Sequence, residues 1–582
     1  MSEMITRTVV HTVAAIAAIG CGTAVQAQSP GTGGNADRPN ILLIISDDVG
    51  IDVNSTMYPD LIETLVAQYG PSGHDHPDYQ SIAGHPASTP VLDELANRGM
   101  RFTNVWAHPF CSPTRAAIIT GLFAAETKVI NYQNALSQEH TSFVQQLRDE
   151  GGYATGMFGK WHLAGLGAMG GNRGTRGGGA RAGGARAGGA ARGGGAPRGG
   201  GPGGGRGTVT GSDVVGMTPK AAGFDVFRGN MGAALGTFWD YNYQVQDTDT
   251  PVDQILNQAP PEKSLPGIAP TTYAPVVKIA DSIEWITARE TENPDRPWFA
   301  WLAFNLSHAT SQSAPTQMAI PNADTLNTSS LREMEECGGV FGSQDTGECS
   351  SESQMRAMTS SLDTILGILL DAVDDLDPNT YIIYIGDNGT PMYGRPGLDF
   401  IDNMYITRTG RGKGTVYESG ARVPMVIKGP GIEAGSVSDV FAHAVDLYST
   451  TLSLAGLEAP ARVSNSDSTA MIPLDARSLA PVLFDGEAAI RDANQGYVLT
   501  ESEDLMRGGI REVGARNRDF KVLCTTTAAD CTFYNLADDP LEEYPLAVPA
   551  DCAEYLNDTW TPANQAWHYC RLTEIVATRS FM

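Results

Sequence analysis

Ile41-Leu42-Leu43-Ile44-Ile45-Ser46-Asp47-Asp48 sets the architecture of this 582-residue chain. Five consecutive apolar residues do not alternate as a half-exposed strand would; they are the pattern of a central parallel strand buried on both faces. Tyr381 to Ile385 repeats the pattern and runs into Gly386-Asp387-Asn388-Gly389. Helical patterns lie between the two: Leu92 to Arg98, Ser142 to Asp149, and the long amphipathic stretch Met355 to Asp374 that feeds the second strand. Their alternation with short strands predicts an α/β fold, a large mixed, mainly parallel sheet sandwiched by helices.

Each strand delivers two short oxygen-bearing side chains just past its carboxyl end, where open α/β sheets bind ligands. Either dipeptide alone reads as a turn or a helix cap. Together Asp47, Asp48, Asp387 and Asn388 offer three carboxylates and an amide oxygen. That hard donor set suits calcium, with magnesium as the alternative, over zinc.

A second stretch, CSPTRAAIITG from Cys111 to Gly121, carries the chemistry. A helix starting near Pro113 puts Cys111 at its amino end and Arg115 one turn further along the same face, so nucleophile and cation share a pocket. A lone cysteine there reads as a buried structural thiol. The whole stretch, however, resembles the sulfatase signature, CxPxR followed by two variable residues, two apolar residues and TG, in which a maturation enzyme oxidises the cysteine to formylglycine. The chain is thereby similar to the type I, formylglycine-dependent, arylsulfatase-like sulfatases of the alkaline phosphatase superfamily. That resemblance implies one calcium held by Asp47, Asp48, Asp387, Asn388 and the modified Cys111.

Other motifs follow in family order. Gly159-Lys160-Trp161-His162-Leu163 resembles the second hallmark. In an extended segment Lys160 and His162 share a face and Trp161 turns away. The chain departs next, with Ala164 where glycine is common. His308, after the apolar run Trp298 to Phe304, resembles the family histidine that meets the leaving oxygen, although Ala309-Thr310 replace the usual proline. Lys413, ahead of Glu418-Ser419-Gly420-Ala421-Arg422-Val423-Pro424, resembles the sulfate-binding lysine, with Arg422 organising the loop. His443 and Asp446 lie in a segment that is mainly structural in the family, and FYNLADDPLEEYPLA, Phe533 to Ala547, resembles a segment near the end of many sulfatases. The resemblance implies catalytic roles for Cys111, Arg115, His162 and His308. It implies substrate binding by Lys160 and Lys413, with His308, helped by Lys413, donating to the departing alcohol.

Length predicts more than one core: a catalytic domain over residues 38–485 and a smaller carboxy-terminal α+β domain over 486–582. Arg7, the apolar run Val9 to Ile19 and Val25-Gln26-Ala27 read as a signal peptide, residues 1–27, which implies a periplasmic or extracellular protein. No later run is apolar enough to span a bilayer, so no membrane attachment is expected after cleavage. Of 8 cysteines, setting aside Cys21 and Cys111 leaves six, an even number that fits export. Neighbour pairing would join Cys337 to Cys349, Cys524 to Cys531 and Cys552 to Cys570, with other connectivities open. A net charge of -27 argues against nucleic acid or anionic membranes as partners, so an anionic substrate needs a local cluster of cations. Residues 165–211, rich in glycine, alanine and arginine, are expected to be a disordered surface insertion within the catalytic domain, with polyanion gathering as the lesser reading.

These readings point to hydrolysis of a small-molecule or carbohydrate sulfate ester, after action of a formylglycine-generating maturation enzyme. Two rivals remain: a phosphonate monoester or phosphodiester hydrolase of the same fold, and a non-catalytic binder of sulfated glycans. The rim stretches 49–88 and 230–275 carry no readable signature, so the alcohol stays open.

Overall fold

The computed structural model describes residues 38–58, 86–166, 207–210, 214–310, 318–391, 411–465, 471–505, 508–526 and 531–580, with Leu61, Thr64 and Ala67. The expected signal peptide and most of the glycine–arginine tract lie outside the described residues. The edges of that tract are ordered, contrary to expectation. Ala164–Leu166 pairs with Val214–Gly216, and Gly207–Thr210 joins the large sheet beside Gln254–Gln258. Thr208, Val209 and Thr210 are good strand formers, unlike the glycines before them.

The site is built by five strands and three helices: β1 (Asn40–Ser46), α1 (Cys111–Thr120), β2 (Ala154–Lys160), β3 (Val226–Asn230), α2 (Ala274–Glu292), β4 (Trp298–Ala303), α3 (Ser351–Leu376) and β5 (Thr380–Gly386). The strands run parallel in the order β5-β1-β4-β2-β3 at the centre of an eleven-stranded mixed sheet. Strands that pair antiparallel with their neighbours flank them: Met425–Lys428 and Met100–Phe102 beyond β5, where Val437–Ser438 adds a parallel edge, and Tyr243–Gln246, Gln254–Gln258 and Gly207–Thr210 beyond β3.

The apolar run of β1 explains its central place. Ile41, Leu43 and Ile45 enter one core with Ala116 to Ile119 of α1, while Leu42 and Ile44 enter the other with Val276 and Val277 of α2 and Met358, Leu362 and Leu366 of α3. All five are fully buried, and each contributes roughly 1.5–3 kcal/mol of burial. Helix α3 starts earlier than its apolar pattern, because Ser350 caps it by accepting from the Ser353 N–H.

After Val498 the chain forms a four-stranded antiparallel sheet, covered by the helix Gln565–Arg579. Its inner residues, including Val513, Val522 and Phe533, belong with Leu572 of that helix to the same core as Ile41 and Ile119. The small sheet therefore packs directly onto the α1 side of the large one. Three disulfides join the cysteines in the neighbour pairing, and Cys111 is the free thiol among the described residues. No described helix is long and apolar enough to cross a membrane.

Candidate active site

β1 and β5 end in register, Ser46 beside Gly386, so Asp47-Asp48 and Asp387-Asn388 emerge together. Asp48 takes a left-handed conformation (φ 63°), which aspartate tolerates better than most residues. Gly389 is required by crowding: a Cβ there would lie 1.9 Å from the Ser419 carbonyl, on the segment that follows Lys413. β2 ends at Lys160, and α1 contributes Cys111 in its first turn and Arg115 one turn on.

These side chains converge on the Cys111 sulfur. Lys160 Nζ donates to Asp47 Oδ2 (2.6 Å) and lies 3.4 Å from Sγ. Lys413 Nζ also lies 3.4 Å from Sγ and donates to Asp48 Oδ1. The thiol itself is 3.5 Å from Asp47 Oδ1. Arg115 donates through Nε and Nη2 to Asp387 Oδ2 (3.2 and 2.8 Å) and through Nη1 to the Lys160 carbonyl (2.5 Å). His308 Nε2 stands 3.9 Å from Asp48 Oδ2. His162 does not continue the strand; at φ 60° its Nε2 meets the Tyr132 carbonyl at 2.9 Å, while Trp161 turns into the core.

The residues fit a hard cation. Single donor atoms of Asp47, Asp48, Cys111 and His308 lie within 4.8 Å of one another. Asn388 donates to Asp48 Oδ1 at 2.9 Å, leaving its own Oδ1 buried with no partner among the described residues. Asp387 is turned partly away from that group, its Oδ2 on Arg115 and its Oδ1 accepting from the Asp48 N–H at 3.2 Å.

Electrostatics divide the titratable groups. Burial alone would raise the Asp47 carboxyl, but Lys160, with His308, Arg115 and Lys413, holds it well below the usual carboxylate range. Burial and the Asp47 charge push Asp387 up to about 6, against Arg115 and Lys160. Burial pushes the Cys111 thiol up to about 12 despite the two lysines. Burial, then Lys160 and Arg115, hold His162 well below its ordinary value; burial and Lys160 also lower His308.

Two second-layer features escaped the sequence reading. Lys278 of α2 is 1% exposed, with Nζ 3.4 Å from Asn230 Oδ1 at the end of β3. A lysine inside the apolar stripe Val276, Val277, Ile279 was its only signal. Asp52 accepts from Thr390 Oγ1 (2.5 Å), and the Thr390 carbonyl accepts from the Lys413 N–H (2.7 Å). An isolated loop aspartate gives no such hint.

Buried lysines facing carboxylates and a thiol, at the strand ends of an α/β sheet, make a site whose charges suit an anionic group. A model of the Sulfatase family matches residues 39–457, and the chain belongs to the sulfatase family. It is 25% identical over 568 residues to the N-acetylgalactosamine-6-sulfatase of Canis lupus familiaris, covering 90% of this chain and 85% of that one. It is 25% identical over 483 residues to human arylsulfatase A, covering 77% and 68%. Among solved structures, Ps i-CgsB in complex with k-i-k-neocarrahexaose superposes with a TM-score of 0.54 at 17% identity, covering 93% of each chain. A protein solved in complex with its substrate D-glucosamine-2-N,6-O-disulfate superposes with a TM-score of 0.53 at 18% identity, covering 90% and 96%. The chain is accordingly a sulfuric ester hydrolase.

Proposed function

We propose that the chain hydrolyses a carbohydrate sulfate ester to an alcohol and inorganic sulfate, with formylglycine made from Cys111 and a bound calcium ion. The observation that carries this reading is the approach of Lys160 and Lys413 to within 3.4 Å of one buried sulfur. Formylglycine supplies a hydrated aldehyde as nucleophile, and calcium, held by Asp47, Asp48, Asp387 and Asn388 beside residue 111, supplies fixed positive charge. A thiol pushed up to about 12 is protonated at neutral pH and a poor nucleophile, which fits a cysteine that serves as precursor and not as the attacking group.

Lys160 and Lys413 flank position 111 and pair with the non-bridging sulfate oxygens. Arg115, gripping Asp387 and the Lys160 carbonyl, adds positive charge beneath them and fixes both groups relative to α1. His308 Nδ1 lies 2.5 Å from the Ala309 carbonyl, so that nitrogen carries hydrogen. Nε2 then faces the leaving oxygen, and it delivers a proton there from the imidazolium form, which the Asp48 carboxylate 3.9 Å away favours against burial and Lys160. His162 is the complement: Nε2 donates to the Tyr132 carbonyl, and Nδ1, buried without a partner among the described residues, keeps a lone pair. Held neutral by burial, it accepts the proton from residue 111 that sulfate expulsion requires.

The similarity to N-acetylgalactosamine-6-sulfatases and to solved structures in complex with sugars supports a carbohydrate substrate. Three disulfides support export through a signal peptide at residues 1–27. We read 38–485 as the catalytic unit and 486–582 as its smaller companion. Sulfate release from sulfated sugars, an aryl sulfate and an aryl phosphonate tests the function. The expected order is sugar sulfates first and the phosphonate slowest; a phosphonate turned over fastest selects the phosphonate hydrolase instead. Binding without turnover, in protein from its native host shown by mass spectrometry to carry only unmodified Cys111, selects the glycan binder; formylglycine there excludes it.

Chelation gives an independent test. Calcium at about 100 times its Kd adds about 2.7 kcal/mol of stability. Stripping the full chain is expected to lower Tm by several degrees and abolish sulfate release, and calcium is expected to restore both. A Tm unmoved by calcium contradicts the metal site.

A further inference from the structure

The segment Phe533 to Ala547 has no part in the chemistry above, yet it holds the loop that carries Lys413. Arg411 leaves that loop: its Nη1 faces the carbonyls of Leu541 (2.8 Å) and Glu542 (3.0 Å) and Glu543 Oε1 (2.7 Å), while its guanidinium lies 4.4 Å over the Tyr417 ring. The Arg411 carbonyl accepts from Thr415 Oγ1 and Ser419 Oγ, both at 2.6 Å, closing the loop on itself. At the far end Glu542 Oε2 accepts from the Glu418 N–H (2.7 Å), and Lys521 Nζ bridges Glu542 Oε1 (2.5 Å) and Glu418 Oε1 (3.4 Å). Residues 411 and 418, on either side of Lys413, are thus tied to the same carboxy-terminal turn.

We propose that Arg411 is a positioning residue for Lys413, anchored through Leu541, Glu542 and Glu543; the inference rests on Lys413 acting as a sulfate-binding lysine. A lysine stem has many rotamers and a single charge at its tip, so the placement of Nζ between Asp48 and residue 111 depends on where the backbone starts. A displacement of about 1 Å at a reacting centre costs on the order of 100-fold in rate. Lysine at position 411 retains the charge but lacks the planar group that lies over Tyr417 and so aims Nη1 at its acceptors.

The test is a double-mutant cycle on the full chain, with formylglycine content measured by peptide mass and Tm recorded for each variant. Arg411→Met is expected to lower kcat/KM about 10- to 100-fold and Arg411→Lys by less. Lys413→Met is expected to lower it further, and the double variant to match Lys413→Met alone. Equal losses from Arg411→Met in both backgrounds, or a fall in Tm with kcat/KM unchanged, overturn the positioning role. Should Arg411→Met not fold, Glu543→Gln serves in its place, with a smaller loss that must again vanish when Lys413 is already Met. A Lys413→Met variant of full activity overturns the sulfate-binding reading itself, a different outcome from a Lys413 effect that Arg411 does not share.

Discussion

Cys111→Ser is expected to reduce steady-state sulfate release by roughly 10,000-fold or more, the scale of losing an essential nucleophile. A serine oxygen that attacked sulfur would leave an ester with no second hydroxyl for His162 to deprotonate. The variant should therefore release no more than one alcohol per chain and then stop. The cause is chemical, since the substitution is nearly isosteric at a position 1% exposed and the two lysines remain beside it. Alcohol and sulfate measured separately over time decide the matter, with Tm as the control for folding. Sustained turnover by the serine variant sinks the formylglycine mechanism.

Lys160→Met is expected to act on rate and stability together. Its Nζ is the 2.6 Å partner of Asp47, and both side chains are fully buried. Removing one member of a buried pair leaves an uncompensated charge, at a cost of about 3–5 kcal/mol. Asp47 is the depressed-carboxylate case: its contribution to wild-type stability is present above the ordinary aspartate range and is lost as pH falls through the lowered folded value. The deficit of the variant should accordingly be largest near neutral pH and shrink in acid. Calcium should recover part of the stability by facing Asp47 with another cation, whereas kcat/KM should stay about 1,000-fold down because a sulfate oxygen has lost its partner. Denaturant titrations at two pH values, with and without calcium, measure the first effect, and sulfate release the second. A variant as stable as wild type without calcium contradicts the buried pair as the source of the stability.

Much of the site was legible because its signals are local. The runs Ile41 to Ile45 and Tyr381 to Ile385 announce buried parallel strands by lacking alternation, and a parallel strand's carboxyl end is where ligands sit. Cys111 and Arg115 are one helical turn apart, so their shared pocket follows from helix geometry. The neighbour pairing of the cysteines is likewise short-range. Where local composition misled, the scale was also short: Gly207–Thr210 was counted with the glycine–arginine tract, but its threonines and valine found a partner strand.

Residue types and spacing by themselves determined the sheet, the helix that opens on Cys111 and the oxygen-bearing side chains at the two strand ends, because period, propensity and donor chemistry are properties of a few adjacent residues. Tertiary structure alone decided that Lys413, 302 positions from Cys111, meets the same sulfur as Lys160. It also decided that His162 spends Nε2 on the Tyr132 carbonyl and leaves Nδ1 buried without a partner among the described residues, that Asp387 answers to Arg115, and that Leu541 to Glu543 hold the Lys413 loop. Those facts depend on distances between residues far apart in the chain, which only the packing of the two cores against the sheet sets.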